Sequence, residues 1–130
     1  MSYKNKEAKN AYYRKYYANN PEKRKVIAAR WYAKNVGKIY TYYEQLKISA
    51  LTHYGKNNTL QCCAEGCTVV DPDILTIDHI ENNGAADRKL KGPSTYRILE
   101  REGYPAGFQT LCCNHQWKKE ILRRRSLRTR

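Results

Sequence analysis

The first 54 residues carry a helical pattern. Tyr12, Tyr13, Tyr16 and Tyr17 recur at spacings of three and four, the interval that returns side chains to one helix face. The stretch 15–20 (KYYANN) matches 30–35 (RWYAKN), and this fifteen-residue period is close to four helical turns. Two stacked or consecutive helical units follow from it. Pro21 after two asparagines predicts a break, with Asn20 as N-cap and Pro21 at the first helical position, and Gly37 suggests a second break. A third helix is expected from about Tyr40 to Tyr54, where Leu46, Ala50, Leu51 and Tyr54 share a face. Gly55 and the polar run Lys56, Asn57 and Asn58 end it.

From Leu60 onward cysteines appear, glycine and proline become commoner, and short strand-like runs replace the helical period. Strands are expected around Leu60–Cys62 and Leu75–Ile80, a short helix around Thr95–Glu102, and a closing helix from near Asn114 through Ile121 and Leu122. The fold class is therefore α+β: a helical extension over 1–54, a small domain over 55–122, and a basic tail, RRRSLRTR, over 123–130. A chain of 130 residues accommodates this arrangement but not two large cores.

Charge narrows the partners. Against 25 Lys and Arg stand 12 Asp and Glu, a net charge of +13 that repels itself unless a polyanion shares it. Nucleic acid is the first candidate, double-stranded DNA foremost. In the extension Arg14, Lys15, Arg24, Lys25 and Arg30 surround the tyrosines. Such a stripe either packs on a neighbour or lies along a nucleic-acid backbone, and twelve tyrosines against one phenylalanine suit a wet, charged interface. No run approaches the roughly 20 apolar residues of a spanning helix, so no membrane partner is expected. Without a signal-peptide pattern behind Met1, the expectation is a soluble protein in an intracellular, reducing compartment. Nothing in the sequence bears on oligomeric state.

In such a compartment five cysteines point to metal rather than disulfides. Cys62, Cys63 and Cys67 form one group, and Cys112, Cys113 and His115 another. A structural Zn2+ takes four such ligands in a tetrahedron, usually as two close pairs. Cys112 with His115 makes one pair. Cys67 with Cys62 makes the other, with Cys63 the alternative, because adjacent residues on an extended segment face opposite sides.

Between the pairs lies LTIDHIENNG, residues 75–84, an apolar strand ending in Asp78 and His79. Aspartate is a hard oxygen ligand for a divalent cation, and neutral histidine accepts a proton near neutral pH. Together they can activate water, as phosphodiester hydrolysis requires. Side chains that neighbour in an ideal strand diverge, so the site needs a bend at the strand end.

TIDHI between two ligand pairs, followed by YPAGFQTLCCNHQWKKE, resembles the HNH endonuclease family over roughly residues 46–121, and most closely its small phage-type members. The resemblance implies a zinc-bound ββα-metal fold, a metal-dependent DNA endonuclease, and for a phage-type member the cytoplasm of its host. It makes His79 the general base and Asp78 a ligand of a catalytic Mg2+ or Mn2+. The family's third position falls on Gln116, whose amide oxygen is a weaker ligand than imidazole. Its middle position falls near Gly107, which has no side chain to brace the base. Asp87 lies where some relatives carry histidine and is expected to offer the metal a second carboxylate. Arg88, Lys89, Lys91, Lys118 and Lys119, with Arg123, Arg124 and Arg125, are the expected phosphate contacts around the scissile bond. Trp117 is expected to pack. The departures at Gln116 and Gly107 leave an alternative: a zinc-stabilised DNA-binding module without cleavage activity.

Overall fold

The computed structural model describes residues 5–92 and 94–129. It is α+β and mostly helical, with a single two-stranded antiparallel sheet among the described residues. The chain divides into two compact units, Met1–Thr41 and Tyr42–Arg130.

The first unit contains α1 (Lys6–Asn19) and the opening of α2 (Pro21–His53). Asn5 caps α1 by accepting the Ala8 N–H at 2.8 Å. Pro21 does open α2, and the Asn20 carbonyl accepts the Arg24 N–H at 3.2 Å. The Asn20 side chain, however, turns back and donates to the Tyr16 carbonyl at 2.8 Å, so it closes α1 rather than capping α2. The break expected at Gly37 is absent. An exposed glycine inside a helix costs only about 1 kcal/mol relative to alanine, too little to interrupt a helix without proline. No residue of α1 is buried, and in α2 the buried residues Leu46, Ala50 and Leu51 all fall in the second unit. That explains why the second unit starts at Tyr42 and not at the expected boundary near Gly55. The last turns of α2 are its core.

The second unit continues with a turn of 3₁₀ helix, Lys56–Asn58, and a loop to β1 (Leu75–His79). Then come α3 (Gly84–Lys91), α4 (Thr95–Arg101), β2 (Phe108–Cys112) and α5 (Cys113–Arg128). The strand expected at Leu60–Cys62 is irregular. The Cys62 N–H goes to the Val69 carbonyl and the Cys63 N–H to the Thr110 carbonyl, because this segment must fold back to bring Cys67 beside Cys62. The partner of β1 is β2, with Leu75 opposite Cys112, Asp78 opposite Gln109 and His79 opposite Phe108. The segment expected to be a basic tail extends α5. There Glu120 pairs with Arg123 and Arg124 at the three- and four-residue spacings that support a helix; Arg130 lies outside the described residues.

One core cluster joins Leu51, Leu75 and Leu111 to Cys62, Cys67 and Cys112. A second joins Ala50, Tyr54 and Leu99. Thr110 on β2 is fully buried and donates its hydroxyl to the Leu51 carbonyl at 2.8 Å. Among the described residues no helix is long and apolar enough to cross a membrane.

Candidate functional site

Cys62, Cys67, Cys112 and His115 converge, their ligand atoms all lying within 4.8 Å of one another. Cys62 Sγ is 3.8 Å from His115 Nδ1, and the Sγ atoms of Cys67 and Cys112 are 4.0 Å apart. With zinc–sulfur bonds of about 2.3 Å, the edge of a tetrahedron is about 3.8 Å, so these separations are those of a metal cage. Its local structure explains the geometry. Cys112 ends β2 and His115 sits in the first turn of α5, while the other pair is held by the fold-back at 62–69. The Cys112 N–H donates to Cys62 Sγ at 3.2 Å, a bond that favours thiolate. Burial pushes the Cys62 thiol up, whereas the Val69 N–H holds Cys67 down. A buried set of three cysteines and one histidine can hold a structural metal such as zinc. Cys63 is outside the set, its thiol donating to the Tyr54 carbonyl at 3.2 Å. Cys113 is exposed.

Asp78 and His79 end β1 at one wall of a cleft of about 530 Å³, lined also by Asn82, Arg88, Gln116, Glu120 and Arg123. Asp78 and His79 both remain in the regular strand register, and the chain turns only after them: Asn82 adopts a left-handed conformation, φ 58°, and its N–H returns to the His79 carbonyl at 3.0 Å. The strand register sets the surroundings of both residues. Gln109, opposite Asp78, donates to its Oδ2 at 2.8 Å, and the Phe108 ring, opposite His79, packs on the imidazole at 4.7 Å. The loop on the far side needs glycine. Gly107 has φ +105° and its carbonyl accepts the Ile80 N–H at 3.0 Å. The position thus braces the strand end through backbone.

Side-chain support for His79 comes from Asp87 on α3, which lies against Nε2 at 3.2 Å. That hydrogen bond, followed by Lys91, holds the Asp87 carboxyl below its ordinary range. Lys91 in turn bridges Asp87 at 3.4 Å and Glu102 at 3.0 Å. Asp87 is a partner of the imidazole. Gly84 opens α3 beside the ring, and a methyl group there would lie 2.9 Å from Nδ1.

On α5, Gln116, Glu120 and Arg123 line the cleft at helical spacing. The Thr76 hydroxyl donates to Gln116 Oε1 at 2.5 Å. Glu120 was not singled out in the sequence, though its place one turn beyond Gln116 carried the signal. Arg123 grips it through two nitrogens at 2.7 and 2.8 Å and Arg124 adds a third contact, lowering its carboxyl to about 2. Lys119 is not free for phosphate: its ammonium contacts Asp78 Oδ2 and the His79 carbonyl. Trp117, expected to pack, is 63% exposed and lines an adjoining cleft with Asp78 and Gln116.

The remaining basic candidates, Arg88, Lys89, Lys118, Arg14, Lys15, Arg24, Lys25 and Arg30, are all exposed; Lys25 pairs with Glu22 at 3.0 Å. Residues 1–41 hold 11 of the 25 basic side chains but only two of the 12 acidic ones, so the charge excess is concentrated in the first unit. Comparisons with protein-family models, with curated proteins and with solved structures found no match.

Proposed function

We propose that residues 42–130 form an HNH-type, zinc-stapled ββα-metal domain that hydrolyses DNA phosphodiester bonds. His79 is its general base, and Asp78 with Gln116 holds a catalytic Mg2+ or Mn2+. The observation that carries the reading is the shared cleft: Asp78, His79 and Gln116 come from a strand end and a helix and line it together with Arg88 and Arg123. With Asp87 accepting from Nε2, the neutral imidazole is fixed in the tautomer that leaves Nδ1 to take a proton from water. Any side chain at Gly84 would crowd the ring at Nδ1, so glycine there keeps that nitrogen from being blocked by a methyl group. Arg88 lines the cleft where a phosphate would sit, matching its charge, while Arg123 lines it already paired with Glu120. A divalent cation, when bound, would supply charge neutralisation at the phosphate and the departing 3′-oxygen. Zinc at Cys62, Cys67, Cys112 and His115 holds the scaffold. In the first unit Arg14, Lys15, Arg24, Lys25 and Arg30 grip the DNA backbone.

A second reading, a zinc-stabilised DNA-binding module without cleavage, is favoured by one observation: the Asp78 carboxylate is already engaged by Lys119 and Gln109. Incubation of supercoiled plasmid with Mg2+ or Mn2+, beside Asp78→Asn, separates the two. Nicks with 5′-phosphate ends that ligase can reseal, made by the wild type and not by the variant, support the nuclease. Tight DNA binding with no nicking by either protein establishes the binding module.

A further inference from the structure

Lys119 is bound in an unusual way for a basic residue facing a nucleic-acid cleft. Its ammonium lies 2.5 Å from Asp78 Oδ2, 2.7 Å from the His79 carbonyl and 3.3 Å from the Ile80 carbonyl. An ammonium has three donors, and all three are used on oxygens. The arrangement resembles a hard-cation site: one carboxylate and two backbone carbonyls at a strand end, satisfied from α5 by an internal cation. Asp78 is 8% exposed and so needs a positive partner in the metal-free chain.

We propose that Lys119 is a built-in counter-ion that occupies the Asp78 carboxylate until a divalent cation displaces it. The inference rests on the reading of Asp78 as a metal ligand. An ammonium and a divalent ion on the same carboxylate repel each other strongly away from bulk water, so binding one expels the other. The exit is open. The Lys119 side chain is 24% exposed and borders the cleft shared by Asp78, Asn82 and Gln116. Its neighbour Glu120 is held by Arg123 and Arg124 and offers no competing anchor. Exchange thus keeps the buried carboxylate neutralised in both states, and metal loading frees a positive side chain at the cleft.

Two measurements on the zinc-loaded full chain test this. Mn2+ binding, read from the electron paramagnetic resonance of the free aquo-ion, is compared for wild type, Lys119→Gln, Lys119→Met and Asp78→Asn. Removing the competing charge is expected to tighten Mn2+ binding by about tenfold or more in both Lys119 variants, and Asp78→Asn to abolish it. Lys119→Gln keeps a hydrogen-bond donor, so it guards against loss of folding in the methionine variant. Independently, an amine-reactive reagent followed by peptide mass analysis is expected to modify Lys119 slowly in the wild type alone and about tenfold faster with saturating Mg2+. Asp78-dependent Mn2+ binding with unchanged Lys119 reactivity, or with no tightening in Lys119→Gln, overturns the exchange while leaving Asp78 as a ligand. Mn2+ binding that Asp78→Asn does not weaken, or no binding at all, overturns the underlying site and the exchange with it.

Discussion

Replacing sulfur by oxygen at two adjacent positions tests the metal cage with its own control. Cys62 and Cys63 are neighbours, yet Cys62 Sγ lies 3.8 Å from His115 Nδ1 while the Cys63 thiol points to the Tyr54 carbonyl. Structural zinc contributes about 10–16 kcal/mol to folding in zinc-finger peptides, against about 5–15 kcal/mol for a whole domain. Loss of one ligand in four, at even a third of that value, removes about 3–5 kcal/mol. In Cys62→Ser the Cys112 N–H also loses its sulfur acceptor, the fully buried Cys62 Sγ. Half-buried Cys63→Ser retains a donor for the Tyr54 carbonyl, so its cost is about 0.5–1 kcal/mol. For a domain of this size about 1 kcal/mol moves the melting temperature by about 4–8 °C. Cys62→Ser should therefore lack bound zinc and a cooperative transition, and Cys63→Ser should bind one zinc and melt within several degrees of wild type. Zinc content by atomic emission and the near-ultraviolet dichroism of the packed Tyr54, Tyr104 and Phe108 rings report both. Equal damage from both substitutions, or a folded Cys62→Ser with full zinc, would refute the assignment.

Three further outcomes are expected. Thr110→Val leaves the Leu51 carbonyl without its buried donor and should lower stability by about 1–3 kcal/mol in urea, with zinc content unchanged. Glu120, with its folded pKa depressed to about 2 by Arg123 and Arg124, contributes stability that is present above its ordinary value near 4.5 and lost as pH falls through the folded one; the wild type should therefore exceed Glu120→Gln in melting temperature at pH 6 and lose that margin towards pH 2, whereas a margin independent of pH would count against the ion pair. Alanine at Arg14, Lys15, Arg24, Lys25 and Arg30 together should flatten the salt dependence of DNA binding, the log–log slope falling by about 0.9 for every phosphate no longer neutralised; a slope unchanged in filter binding would remove the first unit from the interface.

The cage was legible because its ligands are rare residue types in two tight groups, and spacing alone left only Cys62 or Cys63 to decide. The turn that orients Cys62 inward depends on a carbonyl from Val69 and on β2 alongside, which no local pattern records. Asp78 and His79 stood out through their context, TIDHI between the two ligand pairs and its resemblance to the HNH family, since an isolated Asp-His pair at a strand end is a weak signal. Of their supports, Gln109 and Phe108 were not legible because strand register brings them in, and Asp87 and Lys119 were singled out without their contacts to His79 and Asp78, which depend on how α3 and α5 pack. The strand β2 was hidden because FQTLC is short and carries no alternation; its residues Thr110, Leu111 and Cys112 are buried in succession. Gly37 misled in the opposite direction, since a breaker's cost is small against a helix continuing on both sides.

The central claim is that His79 removes the proton from the water that attacks phosphorus. Its most direct test is the initial rate of plasmid nicking with Mg2+ by wild type and His79→Ala, each first shown to contain one zinc and to melt cooperatively. The account predicts a fall of about 100-fold or more in the variant, the lower end of what a positioned general base contributes. Equal rates in two equally folded proteins would contradict it.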